Sequence, residues 1–394
     1  METAESWADG ARSNFERDFG RRARWAGRAP GRVNLIGEHT DYNEGLALPC
    51  AIDRQALALL APRSDRGVRV RAWDLGQGAD FSAEAPEPRG DWLDYVQGVF
   101  FALAERGIDL PGFDLAITSR VPLNSGLSSS AALGVAVAAG LDRALGLGLS
   151  PRDWARVAHR GESGFVGVSC GLLDHFASAL GQEGHALRMD CRSEEVAPVP
   201  MPGLALAILL VHSGVERRLA DGAYAERVAE CHRALAGAVA AGIAPPESRA
   251  LRDLAPGDLA DLEAVLDPVA FRRARHVIGE NDRVAAFCRA LEEGDLESLG
   301  VLLAKAQASL RDDYAVSTPE IDWLCEFGPA CPGVVGSRLT GAGLGGFTLH
   351  LVVPDRLEAV REQISGGFQA RFGRRPESLA VLPSRGAFSE TFPA

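Results

Sequence analysis

The sequence predicts an α+β protein of about two domains, and three observations lead there. Its 394 residues exceed the usual span of one domain, about 100–200 residues. Strand-like apolar runs and helix-period segments come in blocks rather than as a regular βαβ array. Pro198, Pro200 and Pro202 punctuate the middle of the chain, the expected boundary between a domain at 1–200 and one at 201–394.

Taken in order, residues 25–36 give a short strand pattern that runs into a polar loop, and 46–62 continue with strand-like segments. A charged, Pro-containing loop near 83–90 precedes a helix at 91–106, where Trp92, Tyr95, Val96, Val99 and Phe100 recur at helical spacing. A strand at 113–118 leads through a turn into an Ala-rich helix ending near 145. Helices follow at 151–166 and near 172–181, and the chain is helix-rich from about 219 to 329. A Gly-rich loop at 341–346, a strand at 347–353, a helix near 355–366 and a strand near 378–382 close the pattern.

Composition removes several function classes. Hydrophobic content of 46% and charged content of 24% are those of a globular protein. A net charge of −12 speaks against a nucleic-acid surface, which needs clustered cations for phosphate. Lys305 is the sole lysine, so neither a Walker A loop nor a strand lysine of the protein-kinase type exists. Any phosphate site must therefore use backbone amides, hydroxyls or arginine. Seven scattered cysteines without C-x-x-C spacing indicate neither a zinc knuckle nor a disulfide framework. With no signal-peptide pattern and no apolar run of about 18 residues, the expected location is the cytoplasm, away from membranes.

Two segments carry chemistry. Residues 31–45 gather Arg32, Glu38, His39, Asp41 and Tyr42 beside Gly31, Gly37 and Gly45. Fixed charges and hydrogen-bond groups on a turning backbone suit a polyol, in which each hydroxyl needs a placed donor or acceptor. Gly126-Leu127-Ser128-Ser129-Ser130-Ala131-Ala132 sits where a strand and turn give way to a long helix. The first amides of that helix and its dipole attract anions, and the serines add an N-cap, further donors or a metal ligand.

Both segments resemble the signatures of galactokinases, within the larger family of small-molecule kinases named for galactokinase, homoserine kinase, mevalonate kinase and phosphomevalonate kinase (GHMP). The second is similar to that family's Pro-x-x-x-Gly-Leu-Ser-Ser-Ser-Ala and begins at Pro122. Residues 337–348, with the run Gly341-Ala342-Gly343-Leu344-Gly345-Gly346, resemble the third motif in the family's order. The resemblance extends from Phe15 to the strand near 378–382.

It implies a two-domain kinase with its active site in the cleft between domains, ATP as phosphoryl donor and Mg²⁺. The implied reaction converts D-galactose to galactose 1-phosphate in galactose catabolism. Asp174, within Gly171-Leu172-Leu173-Asp174-His175, would be the catalytic aspartate that takes the sugar proton or orients the hydroxyl, with Arg32 beside it. The resemblance assigns the sugar to Arg32, Glu38, His39, Asp41, Gly171, Asp174 and Tyr224. It assigns ATP to Pro122, residues 126–132 and Gly343, with Trp92 and Tyr95 near the adenine. Ser130 and Glu162 would supply hard oxygens to Mg²⁺. His175 replaces the family's Gln and is expected to fill space. Sugar and ATP are the implied partners, with no obligate protein partner. Two alternatives stay open: a kinase for a related sugar such as N-acetylgalactosamine, and a non-catalytic galactose/ATP sensor. Intact Ser128–Ala132, Glu162 and Asp174 count against the sensor.

Overall fold

The computed structural model describes residues 4–393 except 124, 169, 202–205 and 216–219. It opens with a helix absent from the sequence reading, α1 (Ala4–Phe19), which buries Ala8, Ala11, Phe15 and Phe19 at helical spacing. Their partners are Leu57, Leu59 and Ala61, alternate residues of one long strand. The intervening Ala56, Ala58 and Leu60 point into the main core on the other face. That strand is buried on both faces, which explains why its apolar run is continuous.

The strands in this half are β1 (Trp25–Asn34), β2 (Leu46–Ala47), β3 (Pro49–Pro62), β4 (Gly67–Ala72) and β5 (Gln77–Ser82); β6 (Phe113–Ser119) follows α2 (Asp94–Ala104). Helix α3 (Ser129–Leu145) crosses β1 at very short range. A Cβ on Gly27 would lie 1.9 Å from the Ala136 carbonyl oxygen and 2.5 Å from the Gly140 amide nitrogen. Only glycine permits that approach, and it holds the start of α3 beside the end of β1. Helices α4 (Pro151–Gly161) and α5 (Leu173–Leu180) complete the layer. The helix expected at 151–166 is α-helical only to Gly161 and ends in a π-helical turn at Glu162–Val166.

Strands β7 (His185–Asp190) and β8 (Glu195–Pro200) join β2 in a three-stranded antiparallel sheet, β2-β7-β8. Pro198 and Pro200, read from sequence as punctuation, therefore lie inside a strand. Both are exposed, on an edge strand, where a missing N–H costs no ladder bond. Pro202 lies outside the described residues.

The second half contains β9 (Ala207–His212), α6 (Ala220–Ala240), α7 (Leu259–Val265), α8 (Pro268–Glu293), α9 (Leu296–Asp312) and α10 (Pro319–Phe327). Then come β10 (Val334–Leu339), β11 (Phe347–Val352), α11 (Leu357–Phe372), β12 (Ser378–Val381) and β13 (Phe388–Thr391). Its own sheet has the order β10-β11-β9-β12, all antiparallel. Strand β13 returns to pair with β1, giving a six-stranded sheet β13-β1-β3-β6-β4-β5 in which β4 and β6 run parallel. The architecture is α+β. No helix among the described residues is long and apolar enough to cross a membrane.

Candidate active site

A cleft of about 1380 Å³ is lined by the end of β1, the start of α3, the start of α5, the third motif and the end of β9. A pocket for one small molecule measures about 300–1,000 Å³, so this one has room for two substrates.

At its centre β1 changes register between Pro30 and Arg32. A bulge of this kind re-aims a side chain, and here it turns Arg32 onto the phosphate loop. The Arg32 amide donates to the Leu127 carbonyl at 3.1 Å, and Nη1 donates to the Gly126 carbonyl at 2.7 Å. Arg32 Nε and Nη2 lie 2.7 and 2.6 Å from Oδ1 of Asp174, on the first turn of α5. The other oxygen, Oδ2, accepts from the Ser128 hydroxyl at 2.6 Å. Ser128 stands at the N-cap position of α3, where the serine run was expected to supply a cap. It has φ +60°, makes no side-chain capping bond, and leaves the first amides of α3 uncapped by its hydroxyl. Three segments far apart in sequence thus meet at one carboxylate.

Glu38 and His39 line the cleft, yet the protein already engages their polar atoms. Glu38 pairs with fully buried Arg338 and accepts from the Gly341 amide at 3.0 Å. Burial raises its carboxyl to about 7, against the pull of Arg338. His39 Nε2 donates to the Ala342 carbonyl at 3.1 Å, which leaves Nδ1 to accept from the Tyr42 hydroxyl at 3.0 Å. Burial, with His276 alongside, draws His39 down to about 3, so the ring is neutral. Both residues stitch the third motif to the signature loop, as does Thr340, whose hydroxyl donates to the Asn34 carbonyl at 2.9 Å. Asp41 faces Gly171 so closely that a Cβ there would lie 2.6 Å from Oδ2. Burial, then the charge of Asp174, raises Asp41 to about 6. Tyr224 closes this end, its ring 5.1 Å from Tyr42 and 6.1 Å from His39.

Glu162 is buried at the cleft wall, with Oε2 2.9 Å from Nε2 of buried His175. The contact is close but poorly directed, and neither His175 nitrogen has a well-formed hydrogen bond. His159 packs edge-on against His175 at 5.3 Å. Ser130 lines the same cleft. Among the described residues no three or more of His, Cys, Asp and Glu converge on a metal. A hydroxyl and a carboxylate suit an ion that arrives with a nucleotide and keeps phosphate oxygens and water in its shell.

Trp92, Tyr95, Pro122, Gly126, Ser129 and Ser130 also line the cleft. Leu127, Ala131 and Ala132 turn into the core, so Leu127 contributes its carbonyl and the alanines their helix backbone. Gly343 does not line the cleft; it packs at φ +77° against Val316 while Gly341 and Ala342 reach the cavity. Sequence reasoning missed Asp74, Leu75 and Thr118 in the cleft lining, and Arg338 behind Glu38. It also missed the lip formed by His212, Gly214 and Arg374–Glu377. Arg338 lies within the third-motif segment 337–348, a signal that could have been used.

A phosphate loop at a helix start, an arginine-held aspartate and a Gly-rich loop closing the far side define a GHMP-type small-molecule kinase. The models for the GHMP kinase N-terminal domain and C-terminal region match residues 94–182 and 287–370. The galactokinase galactose-binding signature matches residues 13–62. The galactokinase of Chloroflexus aurantiacus is 41% identical over 377 residues, 94% of this chain and 95% of that protein. That of Chloroflexus aggregans is 40% identical over the same shares. The chain belongs to the galactokinase family. The crystal structure of Lactococcus lactis galactokinase complexed with galactose superposes with a TM-score of 0.90 at 30% identity, covering 98% of this chain and all of that one. Methanococcus jannaschii mevalonate kinase, at 17% identity over 93% of this chain and TM-score 0.68, shares the fold.

Proposed function

We propose that the chain transfers the γ-phosphoryl group of ATP to the anomeric hydroxyl of D-galactose, releasing ADP and galactose 1-phosphate. The junction of Arg32, Asp174 and Ser128 carries this reading, because it joins the sugar loop and the phosphate loop at one carboxylate. A sugar hydroxyl is a weak nucleophile, and Asp174 is placed to take its proton as the O–P bond forms. Arg32 holds that carboxylate in place and offsets negative charge at the reacting oxygens. Asp41, Tyr224 and the Gly171 backbone hold the sugar, while Glu38 and His39 shape the loop and present whatever donor or acceptor capacity remains.

The free amides at the start of α3 and the serine hydroxyls of residues 126–132 hold the phosphates, and Trp92 and Tyr95 flank the base. Ser130 and Glu162 would hold Mg²⁺, which when bound neutralises phosphate charge on the transferring group. The same reading places the protein in the cytoplasm and keeps the division of the chain near residue 200. ADP release with Mg-ATP should be measured across galactose, glucose, N-acetylgalactosamine, arabinose and mevalonate. Turnover confined to galactose is expected. Turnover of a different sugar alone would replace the substrate, and none at all with sugar binding intact would remove the activity.

A further inference from the structure

We propose that the Ser128 hydroxyl couples the two substrate sites, holding Asp174 until nucleotide arrives and then turning to the γ-phosphate. This rests on the reading of Asp174 as the base and of residues 126–132 as the phosphate loop. Ser128 is one of few non-glycine residues with positive φ, at +60°. Two residues earlier the same loop uses Gly126 for a φ of +79°. Serine at 128 therefore adopts a backbone that glycine would take without strain, and such an outlier points to its side chain.

That side chain is buried and donates to Asp174 Oδ2 at 2.6 Å, while Arg32 occupies Oδ1. A hydroxyl has one hydrogen to donate. It can serve the carboxylate or a phosphate oxygen, not both. With the loop empty, Oδ2 is restrained by the Ser128 hydroxyl and turned from the sugar. When a γ-phosphate oxygen takes the hydroxyl hydrogen bond, Oδ2 is released toward the sugar. The O1–H proton then passes to Oδ2 as O1 bonds to the γ-phosphorus. The bond from that phosphorus to the β–γ bridging oxygen breaks, and its electron pair leaves with ADP. The base is thus fully available only once the phosphoryl donor is seated.

The prediction is positive coupling: a non-hydrolysable ATP analogue (AMP-PNP with MgCl₂) should tighten galactose binding about tenfold, within the usual range for linked sites. Titration calorimetry of galactose with and without the analogue measures it. Ser128→Ala and Ser128→Gly both remove the hydroxyl, and only Gly relaxes the backbone. Both should bind galactose alone as tightly as the wild type does with nucleotide, and coupling should fall below about twofold. Coupling that survives in either variant, or is absent from the wild type, overturns the proposal. Loss in Gly but not Ala would assign the effect to backbone strain and equally overturn it. Undiminished turnover by Asp174→Ala would instead strike the underlying reading of the base, so the two failures are distinguishable.

Discussion

Arg32 sets two nitrogens on one oxygen of Asp174, and Ser128 takes the other, so the carboxylate is held at both oxygens before any ligand enters. Removing it by Asp174→Ala is expected to lower kcat by about 10²–10⁴-fold, the usual contribution of a placed acid–base group. The thermal midpoint should stay nearly unchanged, because Asp174 is partly exposed. Steady-state kinetics with a melting curve test both halves. Asp41 gives a pH signature. Burial and the neighbouring Asp174 raise its pKa to about 6. The carboxylate form that accepts from sugar hydroxyls thus prevails above pH 6 and is lost as pH falls through it. The acid limb of kcat/KM for galactose should turn near pH 6 in the wild type. It should vanish in Asp41→Asn, leaving a uniformly low value.

At the scale of elements, the crossing of α3 over β1 fixes where the phosphate loop begins. Gly27→Ala would drive a methyl into the Ala136 carbonyl, 1.9 Å away, so α3 must move. Overpacking of this kind costs about 1–3 kcal/mol or more. Because α3 carries Ser129 and Ser130, the KM for ATP should rise further than that for galactose, which kinetics on both substrates would show. Elements with strong periodicity were legible in advance: β1, β6, α2 and α3 sit within a few residues of their expected limits. Helix α1 was not, since two of its four inward residues are alanines, which barely mark a hydrophobic stripe. Strand β8 was hidden by prolines that an edge strand tolerates. The site divides the same way. Arg32, Asp174 and Asp41 were legible because a motif fixed each of them. Arg374 and Asp74 were not, because their role comes from folding a charged, solvated-looking segment against the cleft.

Across the whole molecule the loop after β1 is joined to β10 and α8 by buried polar bonds rather than by apolar packing alone. Arg338 is fully buried against Glu38 and the Leu35 carbonyl, and Glu280 accepts from the Gly37 amide at 2.9 Å. Breaking a buried pair leaves an uncompensated charge, at a cost of about 3–5 kcal/mol. Arg338→Met should therefore lower stability by that order and raise the galactose KM. Adding Glu38→Gln should recover much of the stability, because the amide oxygen can still accept from Gly341, without restoring KM. Urea melts and kinetics on both variants test this. These bonds also span great lengths of chain: Asn34 to Thr340 is a separation of 306 residues and His39 to Ala342 one of 303. Loops of that length close late in folding, after local helices have formed. On refolding from denaturant, catalytic competence should therefore return after the far-ultraviolet helix signal, which makes enzyme activity a clock for the last act of assembly.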